Sequence, residues 1–261
     1  MNRVHLTIKE ISERLKKTDV PLEWIAQLET DPRQGVQKLL AQWKRRKKHE
    51  QQLKKQWESM SHFERFYRAQ GLKPIAGVDE VGRGPLAGPV VAAAVILPDD
   101  CYIPGLNDSK KLQLSEREKL YNQIDRTAVA WATASVSVKR IDEVNIYQAT
   151  LEAMTQAVNQ LNQVPQVLLN DAVVLPDIEV VQEKVIGGDQ RSISIAAASI
   201  MAKVTRDRFM EKLGEVYPQY GFERHMGYAT AEHLQALRKY GPTEVHRQSF
   251  APVRNAMVQG S

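Results

Sequence analysis

The sequence predicts an α/β fold, in which helices pack on a mixed β-sheet and an all-helical basic extension precedes the sheet domain. Residues 1–70 show only the helical spacing of apolar residues, whereas short β-rich runs alternate with helical patterns after Pro74. The charge changes at the same place. Residues 1–70 hold 16 Lys and Arg against 9 Asp and Glu, while the remaining 191 residues hold 20 against 22. We therefore expect residues 1–72 to form the extension and residues 73–261 to form the sheet domain.

The composition of the 261 residues is that of a globular protein, with 43% hydrophobic and 26% charged residues. The longest apolar run, residues 90–97, is far shorter than the ~20 residues that span a bilayer. The first residues lead into a charged helical pattern rather than an apolar leader. A single cysteine, Cys101, excludes an intrachain disulfide and a Cys-rich zinc site. We expect a cytoplasmic protein that does not enter a membrane.

Four helices are predicted in the extension. A capping box at Thr7–Glu10 starts the first, Pro21 opens the second, and Asp31-Pro32 opens the third. A second capping box, Ser61 to Glu64, starts a fourth helix that Gly71 ends.

The third helix carries a basic run, residues 44–48, followed by Lys54 and Lys55. Its apolar stripe lapses through this run, so this stretch projects into solvent or lies on a partner. Basic residues interspersed with tryptophan suit contact with nucleic-acid phosphates. A solvated helix face explains such a run equally well.

The sheet domain begins near Lys73-Pro74 and contains five strands and several helices in alternation. The predicted strands are residues 75–79, 90–97, 128–138, 167–170 and 180–186. The predicted helices are residues 115–125, 148–161, 195–217 and 230–240.

A glycine-rich segment, residues 77–89, covers the end of the first strand and the loop after it, and it twice resembles a nucleotide-binding loop. As a P-loop it fails, because Arg83-Gly84 stands where Lys-Ser or Lys-Thr is required. As a dinucleotide loop it fails, because a strand follows where the phosphate-binding helix should begin. What remains is a pair of adjacent carboxylates, Asp79 and Glu80, before a stiff loop that carries one arginine.

Two further acids, Asp171 and Asp189, come directly after predicted strands. Buried carboxylates are costly unless a cation compensates their charge. Four acids that converge on one sheet edge would suit two hard divalent cations such as Mg²⁺ or Mn²⁺. Such a pair activates water and stabilises the leaving oxygen in phosphodiester cleavage. Asp207 lies mid-helix among basic residues and is interpreted as a partner in salt bridges; a place near the metals is the alternative.

Five segments together resemble the type 2 ribonucleases H, the ribonuclease HII family. They are residues 77–90 (GVDEVGRGPLAGPV), 106–112 (LNDSKKL), 195–208 (IAAASIMAKVTRDR), 225–230 (HMGYAT) and 241–250 (GPTEVHRQSF). Five segments in the family's order make coincidence improbable. The related type 3 enzymes lack the Gly-Arg-Gly arginine pattern and carry a β-rich N-terminal domain, so the type 2 family is favoured.

The resemblance implies a ribonuclease H-like fold with a helical C-terminal part. It also implies an endonuclease that uses Mg²⁺ or Mn²⁺ to cut RNA paired with DNA, and that nicks 5′ to single ribonucleotides in duplex DNA, leaving 3′-hydroxyl and 5′-phosphate ends. The family's metal-binding carboxylates fall on Asp79, Glu80, Asp171 and Asp189. Its segment that senses the 2′-hydroxyl falls on Gly82, Arg83 and Gly84, and the tyrosine that packs on the sugar falls on Tyr228. The 2′-hydroxyl is the group that separates RNA from DNA at a given position.

The chain departs from the family pattern at three places. Ala172 follows Asp171 where glycine is usual, Gly187 replaces a lysine before Gly188-Asp189, and Met226 stands where a lysine commonly follows the histidine. The four carboxylates survive these changes. Without that lysine, the phosphate contact that the resemblance implies there is not expected, and the basic extension is an alternative source of phosphate contacts.

Several other polar residues fit either a functional or a structural role. Lys110 and Lys111 suit phosphate contacts but are equally typical of a solvated surface. Lys203 and Arg206 lie near the predicted site but can simply pair with Asp207, and His225 and His246 are expected to make structural hydrogen bonds. The partners expected are RNA–DNA hybrid and ribonucleotide-containing DNA, and the chain is expected to be a monomer. A non-catalytic nucleic-acid-binding module is the alternative, and a nucleotide-dependent switch is disfavoured by the failed P-loop.

Overall fold

A computed structural model describes residues 6–17 and 19–259 of the chain. Its contacts divide the chain into two compact units, and the division falls between Gln56 and Trp57.

The first unit is all-helical, as the sequence predicts. It contains α1 (Ile8–Leu15), α2 (Leu22–Glu29) and most of α3 (Gln34–Met60). Its core is formed by apolar residues from each helix, namely Ile11, Leu15, Ile25, Leu28, Val36 and Leu40. The capping box at the start of α1 is confirmed, because the Glu10 N–H donates to Thr7 Oγ1 at 3.2 Å and the Thr7 N–H donates to Glu10 Oε2 at 2.7 Å.

The second unit begins with the last turn of α3 and with α4 (His62–Ala69). The predicted capping box at Ser61 is wrong. Because α4 follows α3 directly, the Ser61 N–H and Oγ–H both donate to the carbonyl of Trp57, at 2.9 Å and 2.6 Å. The Glu64 carboxylate is buried and accepts from Ser192 Oγ at 2.6 Å and from the Ser194 N–H at 3.0 Å.

Helix α4 packs on the sheet, where Tyr67 shares an apolar cluster with Ile75, Val167 and Leu169. Tyr67 also donates its hydroxyl proton to Glu183, at 2.8 Å, on a strand of the sheet. These contacts are consistent with the place of α4 in the second unit. The domain limits 1–72 and 73–261 stay a prediction.

The second unit contains one mixed sheet of five strands in the order β3-β2-β1-β4-β5. The strands are β1 (Ile75–Val81), β2 (Val90–Ile96), β3 (Ala130–Val136), β4 (Val167–Asp171) and β5 (Val181–Val185). Strands β3, β2 and β1 pair antiparallel, whereas β1, β4 and β5 pair parallel. All five predicted strands are confirmed, and the central strands β1 and β2 are almost entirely buried.

Helices cover both faces of the sheet, which confirms the predicted α/β class. They are α5 (Leu114–Thr127), α6 (Val138–Val144), α7 (Ile146–Asn159) and α8 (Ile193–Val216). Helix α7 packs on the face that carries Ala76 and Val78, and α8 with α5 packs on the opposite face, which carries Val91 and Val95.

Helix α8 approaches β1 very closely at Gly77. A Cβ atom at this position would lie 2.0 Å from the backbone carbon of Ser194, so only glycine fits. This contact fixes the start of α8 beside the part of β1 that carries Asp79 and Glu80.

Three short helices complete the chain: α9 (Phe222–His225), α10 (Ala231–Tyr240) and α11 (Ala251–Gln259). They bury Tyr220, Phe222 and Leu237 against Leu86. His225 and His246 make structural contacts, as expected. The His225 ring lies 2.8 Å from the carbonyl of Tyr220, and the Thr243 N–H donates to His246 Nδ1 at 3.0 Å. In the described part of the chain, every helix is too short or too polar to cross a bilayer.

The contact between Glu64 and the start of α8 predicts a loss of stability in Glu64→Ala. Removal of the carboxylate leaves the buried Ser192 hydroxyl and Ser194 N–H without an acceptor, which costs about 1–3 kcal/mol for such a group. We expect the free energy of unfolding in urea to fall by about 2 kcal/mol, within the range for a buried unsatisfied donor. The matched control is Glu58→Ala, which removes an exposed carboxylate from the adjoining turn of α3. An equal effect of the two substitutions contradicts the prediction.

Candidate active site

Four acidic residues lie at the carboxyl ends of three neighbouring parallel strands. Asp79 and Glu80 lie near the end of β1, Asp171 ends β4, and Asp189 lies in a short 3-10 turn, Gly188–Gln190, after β5. The carboxyl ends of parallel strands form the edge where open α/β sheets bind ligands. The four predicted acids therefore share one edge of the sheet.

Asp79 is the most enclosed of the four, with 5% of its surface exposed. Its Oδ1 accepts the N–H of Glu80 at 2.8 Å. Burial raises the pKa of the Asp79 carboxyl well above its usual range, and the negative charges of Glu80 and Asp171 raise it further. A hydrogen bond from Ser199 on α8 acts in the opposite direction. The Ser199 hydroxyl is itself 2.9 Å from that of Ser109.

Glu80 lies on the other face of β1, because consecutive strand residues point to opposite sides. Its Oε1 is 3.3 Å from Nη1 of Arg83, the arginine of the glycine loop. Burial raises the pKa of the Glu80 carboxyl, Arg83 opposes this shift, and the charge of Asp171 adds to it.

Asp171 and Asp189 are joined through the turn after β5. Oδ1 of Asp171 accepts the N–H of Gly188 at 2.8 Å, which holds the turn against the end of β4. Burial raises the pKa of Asp189, and so do the neighbouring charges of Asp108 and Asp171, whereas Lys110 lowers it. Asp108 is a buried acid of this site that the sequence analysis did not select.

The chemistry of these donors fits hard divalent cations. All four side chains offer carboxylate oxygens, and their charges repel one another in a largely buried place. Within residues 6–17 and 19–259, no three His, Cys, Asp or Glu side chains form a group that could hold a metal ion as they stand. Several of these oxygens bond to Arg83 or to backbone N–H groups instead. Mg²⁺ commonly uses one or two carboxylates together with waters and substrate phosphates, so it does not require a closed protein cage.

The glycine loop after β1 lies beside these acids. Gly82 has a φ of +93° and Gly88 has a φ of +80°, in the region that only glycine adopts readily. Arg83 and Gly84 are the exposed residues of the loop, whereas the residues from Pro85 to Pro89 are buried. The ring of Tyr228 lies against Gly84, where a Cβ would be 3.6 Å from Cε1 of the tyrosine. The predicted substrate-reading residues are thus neighbours in space.

The two candidate lysines differ in their surroundings. Burial lowers the pKa of Lys110, but the charges of Asp108, Asp189 and Asp79 outweigh it and raise the pKa above its ordinary value. Lys110 therefore belongs to the acidic edge. Lys111 donates from Nζ to Oε1 of Gln190 at 2.9 Å, at the border of the site.

Asp207 pairs with Lys203 Nζ at 2.6 Å and with Arg117 Nη1 at 2.8 Å, which confirms its interpretation as a salt-bridge residue. Arg206, in contrast, forms no ion pair with Asp207. Its guanidinium turns to the glycine loop and bonds to backbone carbonyls of Ala87, Pro89 and Met226. Arg247 does the same from the loop before α11, and the sequence analysis did not select it. A buried arginine carries no periodic signal in a sequence, so only the contacts identify it.

Ala172 and Met226, two of the residues that depart from the family pattern, both have an unusual backbone conformation. Ala172 has a φ of +56° and Met226 has a φ of +51°, both in the left-handed region. Glycine adopts this conformation with less strain than alanine, so the glycine that the resemblance implies after Asp171 would fit this backbone.

The family to which the chain belongs follows from comparisons with known proteins. A family model described as Ribonuclease HII matches residues 76–253, and one described as Ribonuclease HII N-terminal domain matches residues 7–68. The ribonuclease HII of Geobacillus sp. (strain WCH70) is 53% identical over 251 residues, which are 95% of this chain and 90% of that protein. The chain belongs to the ribonuclease HII family, whose members are endoribonucleases that cleave RNA in RNA–DNA hybrids.

Solved structures share the fold. The ribonuclease H2 from Pyrococcus horikoshii OT3 superposes with a TM-score of 0.61 at 29% identity, over 71% of this chain and 97% of that one. Bst-RNase HIII in complex with Mn²⁺ superposes with a TM-score of 0.51 at 19% identity, over 70% of this chain and 69% of that one. These matches confirm the predicted ribonuclease H-like architecture.

Proposed function

We propose that this protein is a metal-dependent endonuclease that cuts the RNA strand of RNA–DNA hybrids and nicks 5′ to single ribonucleotides in duplex DNA, leaving 3′-hydroxyl and 5′-phosphate ends. The observation that carries the proposal is the cluster of Asp79, Glu80, Asp171 and Asp189, whose mutual repulsion calls for cations, directly beside Gly82–Gly84 and Tyr228.

The residues that would hold the metals are the four acids. Asp79 is central, because its burial and its neighbours disfavour a lone negative charge most strongly there. Two bound divalent ions would supply activation of the attacking water and stabilisation of the leaving oxygen. Mg²⁺ and Mn²⁺ fit an all-carboxylate set, and a type 3 homologue of similar fold is known as an Mn²⁺ complex. Ser199 and the Gly188 N–H orient the Asp79 and Asp171 carboxylates for this role.

The substrate would lie across the glycine loop. Arg83 and Gly84 offer exposed polar groups a few residues from the acids, and the exposed Tyr228 ring offers a flat apolar surface for the sugar. Recognition of the 2′-hydroxyl by this loop would separate ribonucleotides from deoxyribonucleotides. Lys110 and Lys111 suit contacts with backbone phosphates. A cytoplasmic location and a monomeric state stay predictions from the sequence.

The basic residues of α3 form a second candidate surface for nucleic acid. Arg45, Lys48 and Lys55 are exposed, and none of them takes part in an ion pair within the described residues. Their spacing of three and seven places them on one side of the helix, which differs from the side that Val36 and Leu40 bury. We infer that this side contacts phosphates, which supports a role for the extension in substrate binding.

Asp79→Asn tests the metal assignment. We expect the wild-type protein to nick a labelled DNA duplex with one ribonucleotide in Mg²⁺ or Mn²⁺ and not in chelator. We expect the variant to lose more than about 100-fold in rate, because even outer partners of metal ligands cost ~10–100-fold. Duplex affinity and thermal unfolding should change little.

The matched control for that substitution is Asp177→Asn, which neutralises an exposed acid outside the cluster. Cutting by Asp79→Asn at the wild-type rate overturns the metal assignment. Tight binding without cutting by the wild-type protein in either metal favours the binding-module alternative.

Arg83→Ala tests the reading of the ribonucleotide. We expect kcat/KM to fall about tenfold more for a lone ribonucleotide than for a continuous RNA–DNA hybrid, since a charged hydrogen bond contributes about 1.5–3 kcal/mol. Arg224→Ala, which removes an exposed arginine paired with Glu232, is the control. Equal losses on both substrates identify Arg83 as a general phosphate contact.

Replacement of Arg45, Lys48 and Lys55 by glutamine tests the basic side of α3. The slope of log affinity against log salt should become shallower by about 2–3, because each phosphate neutralised contributes ~0.9. The rate of the chemical step should stay close to that of the wild type. The control replaces three exposed lysines of the sheet unit, Lys119, Lys139 and Lys212. An unchanged slope would mean that the basic run is a solvated helix face that makes no phosphate contacts.

A further inference from the structure

Two arginines of the sheet unit are buried completely, which is unusual for a charged side chain. Arg206 and Arg247 both have 0% of their surface exposed. In the part of the chain that the structure describes, neither takes part in an ion pair. Burial lowers the pKa of Arg206 to about 10 and that of Arg247 to about 9. A charge held at this cost without a carboxylate partner needs strong compensation from its neighbours.

The compensation comes from the backbone of the glycine loop. Arg247 donates from Nε to the carbonyl of Gly88 at 3.0 Å and from Nη1 to that of Arg83 at 2.9 Å. From Nη2 it donates to the carbonyls of Gly82, at 2.6 Å, and Gly88, at 2.8 Å. The planar fork of the guanidinium thus binds both ends of the loop at once.

Arg206 holds the same loop from helix α8. It donates to the carbonyl of Pro89 at 3.0 Å and to that of Ala87 at 3.1 Å. The packing is close, because a Cβ on Gly82 would lie 2.3 Å from Nε of Arg206. Gly82 is therefore needed both for its positive φ and for this contact.

These hydrogen bonds fix the direction of two backbone donors. The peptide bonds of the loop are trans, so each N–H points opposite to the carbonyl of the preceding residue. The carbonyls of Gly82 and Arg83 point inward to Arg247, and hence the N–H groups of Arg83 and Gly84 point away from it. Both residues are exposed, and within the described chain neither N–H has a hydrogen-bond partner. The loop thus presents two free donors to the outside, next to Glu80 and Tyr228.

We propose that Arg247, supported by Arg206, is a positioning residue that turns the N–H groups of Arg83 and Gly84 outward to meet an oxygen of the ribonucleotide. The two arginines do not touch the substrate; they act through the loop. This inference rests on the proposed function, in which the loop recognises the 2′-hydroxyl. It adds that the loop does so because its peptide N–H groups point outward.

Arg247→Lys tests the inference, because lysine keeps the charge but lacks the planar fork that binds three carbonyls. The first readout is the ratio of kcat/KM for a duplex with one ribonucleotide to that for a continuous hybrid. The second is the ratio of Kd for all-DNA duplex to Kd for the duplex with one ribonucleotide, measured in chelator. We expect both ratios to fall by up to about tenfold, which is the upper end of the effect of one neutral hydrogen bond. Arg224→Lys serves as the matched control, since this exposed arginine pairs with Glu232.

The outcomes separate the inference from the function on which it rests. A purely structural role lowers the melting temperature and both activities together and leaves the two ratios within twofold of the wild type, which overturns the inference. If Arg247→Lys does not fold, Arg206→Lys takes the same measurements and the same criteria apply. Failure of the wild-type protein to nick the lone ribonucleotide overturns the proposed function, and the inference falls with it. Normal wild-type nicking with unchanged ratios in the variant overturns the inference alone.

Discussion

The close contact between helix α8 and strand β1 is the constraint on which the site depends. Gly77 permits an approach that no other residue allows, so the first turn of α8 lies directly on the strand. From this position the helix supplies Ser199 to Asp79 and, further along, Arg206 to the glycine loop. Glu64 of α4 holds the start of the same helix through Ser192 and Ser194. The segment matched by the N-terminal family model therefore includes Glu64, a residue that holds helix α8 beside the site.

The sheet holds together acids that repel one another. Three neighbouring parallel strands bring Asp79, Glu80, Asp171 and Asp189 to one edge. Burial and neighbouring negative charge raise the pKa of Asp79, Glu80 and Asp189. The surrounding protein offsets part of this cost with Arg83, Lys110 and backbone N–H groups. The repulsion that remains favours positive charge at this edge of the sheet. The strands maintain this repulsion, because their pairing in the sheet keeps the acids from moving apart.

The glycine loop has a buried side and an exposed side. Its carbonyls turn inward to Arg206 and Arg247, while the N–H groups of Arg83 and Gly84 face outward. The positive charge of the two arginines is thereby spread over backbone dipoles rather than neutralised by carboxylates. The acids stay apart from these arginines and remain available at the neighbouring edge.

The α/β class, the five strands, the capping box of α1 and the positions of the four acids at strand ends could be predicted from the sequence, because periodicity, turn residues and local motifs lie in contiguous residues. Features that depend on residues far apart in the chain could not. The second capping box failed because Glu64 bonds to α8 rather than to its own helix. Asp108 joined the acidic edge, and Arg206 and Arg247 became partners of a loop more than a hundred residues away. Such contacts arise only when the chain packs, since no local pattern specifies which distant carbonyl a buried guanidinium will find.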